Sequence, residues 1–172
     1  MNSDRGAARS TGTALDTEEI RLLEAVAARI VPATETPGAV EIGAVEYIRR
    51  ALEGDYKTLA PLYRDGLAAL NRRAGTRFAK LFIALSDADK DAVLADFEAD
   101  RTDYADAADF FETVRCHVLE GVFGEPHYGG NRGLAGWRIV DFPGQQHGYP
   151  DAYINRRVDL PVVAVDPEKE GK

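Results

Sequence analysis

From Ile20 to Val122, apolar residues recur every three or four positions, the period of an amphipathic helix. Ile20, Leu23, Ala27 and Ile30 make the first stripe. Asp16 or Thr17 can cap it, and Glu18 and Glu19 stand in the first turn, where the helix dipole favours acids. Pro32 closes it. A second helix is predicted over 40–52, with Val45, Ile48 and Leu52 inward and Gly54 as its stop. A third is predicted over 55–74, with Leu59, Leu62, Tyr63, Leu67 and Leu70 as its apolar face, Pro61 near its start and Gly75 at its end. The segment RFAKLFIAL (77–85) is apolar enough to be buried. Ser86 then opens a fourth helix with Asp89 three residues later, a capping-box-like pair, and Val93, Leu94 and Phe97 face inward. The fifth, over 107–122, carries the strongest signal: Phe110, Val114, Val118 and Val122 stand at i, i+4, i+8 and i+12.

The fifth helix delivers the backbone into GVFGEPHYGGNRGLAGWRIVDFPGQQHGY (121–149), where the helical period ends. Eight of the sixteen glycines are here, with two of the three histidines and the only tryptophan, Trp137. A segment with so many large side chains is no solvated linker, so an ordered loop with a binding role is expected. The pattern as a whole predicts an all-α single domain of about five helices with a long, ordered, Gly/aromatic-rich C-terminal loop. Residues 1–15 read as a disordered tail, 16–156 as the helical domain, and 157–172 as a second tail.

The 172-residue length fits one domain with one core. The net charge of −8 argues against nucleic acid and anionic membrane as partners. No run approaches the roughly 18 apolar residues of a membrane span, so no direct membrane insertion is expected. Cys116 is the only cysteine, so no disulfide can form within the chain; it is either free or bridged to a partner. The N-terminal arginines have no apolar segment behind them, and neither a secretory nor a twin-arginine signal is read. The expectation is a cytoplasmic protein, or a periplasmic one if a signal has been removed or is supplied by a partner.

Motifs for chemistry are sparse. Asp87, Asp89, Asp91 and Glu98 fall at EF-hand positions, but Ala92 stands where the loop needs glycine, and a capped acidic first turn explains them better. Glu112, Cys116, His117 and Glu120 lie on successive helical turns without HExxH or a second cysteine; a half-buried, satisfied His117 is the preferred reading. There is no nucleophile elbow, P-loop or dinucleotide fingerprint. Glu125, His127, Arg132, Asp141 and His147 are acid/base types, but no spacing pairs any two of them. The loop does offer Phe123, His127, Tyr128, Asn131, Arg132, Trp137, Phe142 and Tyr149 as interface residues. Tyrosine, tryptophan and arginine are the types that dominate binding hot spots. Tyr128, Arg132 and Trp137 are the expected anchors, and Trp137→Ala is expected to weaken assembly more than any single charge reversal in the N-terminal tail.

The loop resembles that of a known family, gluconate 2-dehydrogenase subunit 3. The resemblance is carried by GVFGEPHYGGNR (121–132), Gly136-Trp137, Phe142-Pro143-Gly144 and Tyr149. Upstream, Arg29 to Ala33 (RIVPA), Pro37-Gly38-Ala39, Ile42-Gly43 and Tyr47-Ile48 agree more loosely, so the likeness covers about 17–150. It implies a non-catalytic small subunit that stabilises or escorts a large FAD-containing subunit of the glucose–methanol–choline (GMC) oxidoreductase type. That partner oxidises a sugar or polyol hydroxyl, and in many members a cytochrome c subunit takes the electrons. FAD and the catalytic residues then belong to the partner, with no cofactor in this chain. Many members start with a twin-arginine signal, and this chain does not; a cytoplasmic complex using a soluble acceptor or oxygen fits that departure. The alternative is a stand-alone small enzyme or metal-binding protein using the 121–149 loop.

Overall fold

The structure, a computed structural model, describes residues 14–144 together with Val162 and Ala164. Seven α-helices follow in order: α1 (Thr17–Ile30), α2 (Ala39–Ile42), α3 (Ala44–Glu53), α4 (Ala60–Phe78), α5 (Asp87–Glu98), α6 (Ala107–Phe123) and α7 (Ala135–Ile139). No strand occurs among the described residues, and the domain is all-α as expected. No helix there is long and apolar enough to cross a membrane.

α6 is the central post. It touches α1, α2, α3, α4, α5 and α7, and its stripe of Phe110, Val114, Val118 and Val122 is at most 1% exposed. Val45, Ile48 and Leu52 from α3, Tyr63, Leu67 and Leu70 from α4, and Val93, Leu94 and Phe97 from α5 close around it. Phe110 meets Tyr63 and Phe97 edge-to-face, at centroid separations of 6.2 and 6.0 Å, a favoured aromatic geometry. The α1 cap forms as a full capping box. Asp16 Oδ1 accepts from the Glu18 and Glu19 amides, and Glu19 Oε2 accepts from the Asp16 amide, all at 2.8 Å.

Four boundaries differ from the sequence expectation. The predicted 40–52 helix is two helices, because Gly43 takes φ +92° and turns the chain between α2 and α3; a left-handed turn of this kind is open to glycine at no steric cost. The predicted 55–74 helix starts only at Ala60, after a 3-10 turn at Lys57–Leu59. An earlier start would put Pro61 in a helix interior, where its ring meets the carbonyl four residues back. At the other end α4 runs through Gly75 to Phe78, since glycine costs a helix only about 1 kcal/mol against alanine; Ala79, at φ 55°, makes the cap instead. Two residues expected in the N-terminal tail, Ala14 and Leu15, pack on the domain instead. Leu15 is 4% exposed within the core and Ala14 O accepts from Arg64 Nε at 2.9 Å. The apolar 77–85 segment divides: Phe82 and Leu85 are buried, whereas Leu81 and Ile83 are exposed. The tail expected over 157–172 lies outside the described residues apart from Val162 and Ala164.

Ion pairs fix α5 to its neighbours. Arg29 at the end of α1 bonds Asp87 at 2.8 Å and Asp91 at 2.7 Å, while Asp89 is taken by the Ser86 cap. The three aspartates that invited a calcium reading therefore serve the helix start. Asp96 is buried, and Arg73, Arg77 and Arg101 converge on its carboxylate at 2.9, 2.7 and 3.4 Å. Burial opposes its ionisation, but the hydrogen bonds from Arg73 and Arg77 outweigh that and hold the carboxyl below the usual aspartate range. Asp96→Ala strips these charge-assisted bonds and should destabilise the domain by about 2 kcal/mol in denaturant melts. Lys90→Ala, whose pair with the exposed Asp87 is longer at 3.4 Å, should cost clearly less, about 0.5 kcal/mol.

Candidate functional site

The end of α6 sets a problem that the following loop solves. The last carbonyls of a helix have no partner within it. Here they point at 124–142, and that segment supplies the donors. Gly124 N donates to Glu120 O at 2.7 Å, and Asn131 N donates to Gly121 O at 2.8 Å. Trp137 Nε1 donates to Phe123 O at 2.6 Å, and Asn131 Nδ2 to Gly124 O at 2.9 Å. Asn131 Oδ1 also accepts from the Gly136 amide at 3.0 Å. Asn131 thus uses its backbone and both ends of its side-chain amide, is fully buried, and sits at φ 44°, a region asparagine tolerates better than most residues. Gly130 and Gly136 lie directly on the Gly121 and Val122 carbonyls, where any Cβ would overlap the oxygen.

This arrangement sorts the eight predicted interface residues. Asn131 and Trp137 are turned inward; Trp137 is only 3% exposed and packs edge-to-face on Phe142 at 5.0 Å. Phe123, His127, Tyr128, Arg132 and Phe142 are outward, with Tyr128 56% and Phe142 44% exposed. His127 and Tyr128 rings lie 3.8 Å apart, and the Arg132 side chain runs across the Gly43 turn. Tyr149 and His147 lie outside the described residues. Ile139 and Val140, unremarked in the sequence, join the outer face. Val140, with Phe123, Phe142, Pro143 and the edge of Trp137, borders a shallow, mostly apolar hollow of about 370 Å³ that Asp141 also lines.

Among the described residues, no side-chain hydrogen bond or ion pair joins Glu125, His127 and Arg132 to one another. The metal-like set on α6 disperses too. Glu112 is bonded by Arg115 at 2.6 Å and by Cys116 Sγ at 3.3 Å on the outside, while His117 is buried.

His117 belongs to an inner polar group that the sequence placed only in part. Its Nδ1 is 2.8 Å from Tyr63 Oη, Tyr56 stacks on its ring at 4.6 Å, and Tyr47 Oη donates to Glu120 Oε2 at 2.7 Å alongside. Burial pushes the His117 pKa below its ordinary value of 6.5, with Glu120 opposing. Burial also raises Tyr47 and Tyr63, assisted by Glu120. The tyrosines are therefore neutral hydrogen-bonding groups at physiological pH.

The fold and loop define a small helical module whose 124–142 segment is bonded to the end of its central helix and carries exposed aromatic side chains. The family model of gluconate 2-dehydrogenase subunit 3 matches residues 17–144, most of the chain, and the chain belongs to that family. Searches of curated proteins and of solved structures gave no match.

Two outcomes are expected. Asn131→Ala removes two side-chain bonds and puts a less tolerant residue at positive φ; it should cost about 3 kcal/mol in a denaturant melt, against about 1 kcal/mol for Trp137→Phe, which keeps the ring and loses one bond. The depressed His117 pKa gives stability that is complete above the unfolded value near 6.5 and is lost as pH falls through the lower folded value. The melting temperature should therefore drop on going from pH 7.5 to pH 5, and His117→Gln should remove that component of the slope.

Proposed function

We propose that this chain is the accessory subunit of an FAD-dependent oxidoreductase complex, and that it stabilises or escorts a catalytic subunit of the GMC type acting on CH–OH groups of sugars or polyols. The observation that carries the reading is the outer face of the loop. Seven large hydrophobic residues are exposed among the described residues, and five of them, Phe123, Tyr128, Ile139, Val140 and Phe142, belong to 123–142. Apolar side chains gathered on one rigid segment mark a protein-binding surface. Family membership supports the same reading, since the family is named for a subunit of gluconate 2-dehydrogenase.

The flavin is assigned to the partner. The described residues contain no strand–turn–helix unit whose glycine-rich turn would receive a pyrophosphate. Of the glycines in 129–136, Gly130 and Gly136 lie against the Gly121 and Val122 carbonyls of α6, and Gly129 lies against the Arg50 side chain. A cytochrome c subunit is a further member of the complex where electrons leave through a haem chain. The role of this chain is then to cover an apolar face of the flavoprotein and hold it folded.

Co-expression with the flavoprotein subunit of the same organism tests the proposal. The flavoprotein should be soluble and flavin-loaded in the presence of this chain, and the two should co-purify. Equal solubility, flavin content and activity without it would defeat the reading. Val140→Asp with Phe142→Ser should lower co-purification at least tenfold, about 1.4 kcal/mol or more, and leave the melting temperature of the free chain within a few degrees.

A further inference from the structure

A second opening, of about 510 Å³, lies where the loop leaves α6. Tyr47 and Arg50 of α3, Tyr56, Glu120 of α6, and Glu125 and Tyr128 of the loop line it. Its chemistry is that of a cation slot. Asp55 adds a third carboxylate to those of Glu120 and Glu125, against one guanidinium. That guanidinium is already engaged: Arg50 Nε bonds Glu46 Oε1 at 2.7 Å, and the side chain lies along the Gly129 backbone.

One carboxylate oxygen is left over. Glu125 Oε2 is shielded from solvent and has no hydrogen-bond partner among the described residues. A buried, unpaired carboxylate oxygen is costly, and a turn of the half-buried Glu125 side chain into the opening would let a cation from outside satisfy it. The aromatic walls are already set. Tyr56 is held by its stack on His117, with the two ring planes 10° apart, and Tyr47 by its bond to Glu120. Tyrosine faces beside carboxylates suit a guanidinium better than an ammonium: the planar fork stacks on rings and bonds a carboxylate with two donors at once.

We propose that this slot receives an arginine side chain of the catalytic subunit, with Glu125 as its carboxylate and the three tyrosines as its walls. The assignment rests on the accessory-subunit reading and adds to it the polar half of the interface. Tyr128 lines the slot and is also one of the five exposed hydrophobic residues of 123–142, and Gly124 of the slot follows Phe123 of the hollow in the chain. The apolar part supplies most of the contact area. The slot fixes register, because a misplaced docking leaves Glu125 Oε2 unpaired.

The test uses the full chain and the purified flavoprotein subunit, with dissociation constants from isothermal titration. Glu125→Gln keeps shape and removes the charge. It should weaken the complex at least tenfold and flatten its dependence on salt, while the melting temperature of the free chain stays the same or rises. A fall in that melting temperature would show that Glu125 is already paired in the free chain, which overturns the slot. An affinity equal to wild type overturns the slot alone and leaves the accessory-subunit reading standing. Failure of the wild-type chain to bind the flavoprotein overturns both. As an independent arm, methylguanidinium chloride titrated into the free chain should shift the ring signals of Tyr47, Tyr56 and Tyr128 saturably. Sodium chloride at equal ionic strength should not, and Glu125→Gln should reduce the shifts severalfold. Identical responses to the two salts would also overturn the slot.

Discussion

The carbonyl groups at the C-terminal end of α6 set the terms for the rest of the molecule. Four successive acceptors leave the helix without internal partners, as at any helix end. Many helices answer with a single glycine cap or with water. Here the chain doubles back, and Asn131 and Trp137 reach the carbonyls of Gly121, Phe123 and Gly124 directly. That requires backbone to lie on backbone, hence Gly130 and Gly136, and it requires Asn131 at a positive φ. Because α6 is also the post around which α1 to α5 pack, the loop is registered against the whole core.

The capping arrangement decides which side chains face out. Once Asn131 and Trp137 are committed inward, the residues beside them, Tyr128, Arg132, Ile139, Val140 and Phe142, are displaced to the surface. Motif residues that read alike as interface candidates thus divide into two kinds. One kind makes the loop rigid, and the other is what the rigid loop presents. The Trp137–Phe142 contact joins them, since an inward ring supports an outward one. In the complex proposed above, substitution at Trp137 would therefore act on assembly through the shape of the loop.

The helices were legible because each stripe is local: Phe110, Val114, Val118 and Val122 announce a buried face by spacing alone, and all four are buried. Boundaries were less so. Gly75 and Gly43 look equivalent in sequence, yet one is passed over within α4 and the other breaks α2 from α3. The difference lies in tertiary packing: the Arg132 side chain lies over Gly43, while Gly75 has open space around its Cα. The direction of Trp137 was hidden for a similar reason, because its partner is a carbonyl fourteen residues back whose availability depends on where α6 stops. The slot was harder still. Tyr47, Tyr56, Glu120 and Glu125 form no linear motif, and only the packing of α3 on α6 brings them together.

For the docking proposed above, a face made this way has a thermodynamic consequence. Ordering one residue costs about 1–2 kcal/mol of backbone entropy, and a segment that ordered only on docking would subtract that from its affinity, residue by residue. In this chain the cost is met during folding, through hydrogen bonds that α6 needs in any case. The exposed aromatics are then available for association with little further ordering. Capping α6 and presenting a face are one arrangement viewed from its two sides, and this accounts for the glycines, the asparagine and the tryptophan standing together in so short a stretch.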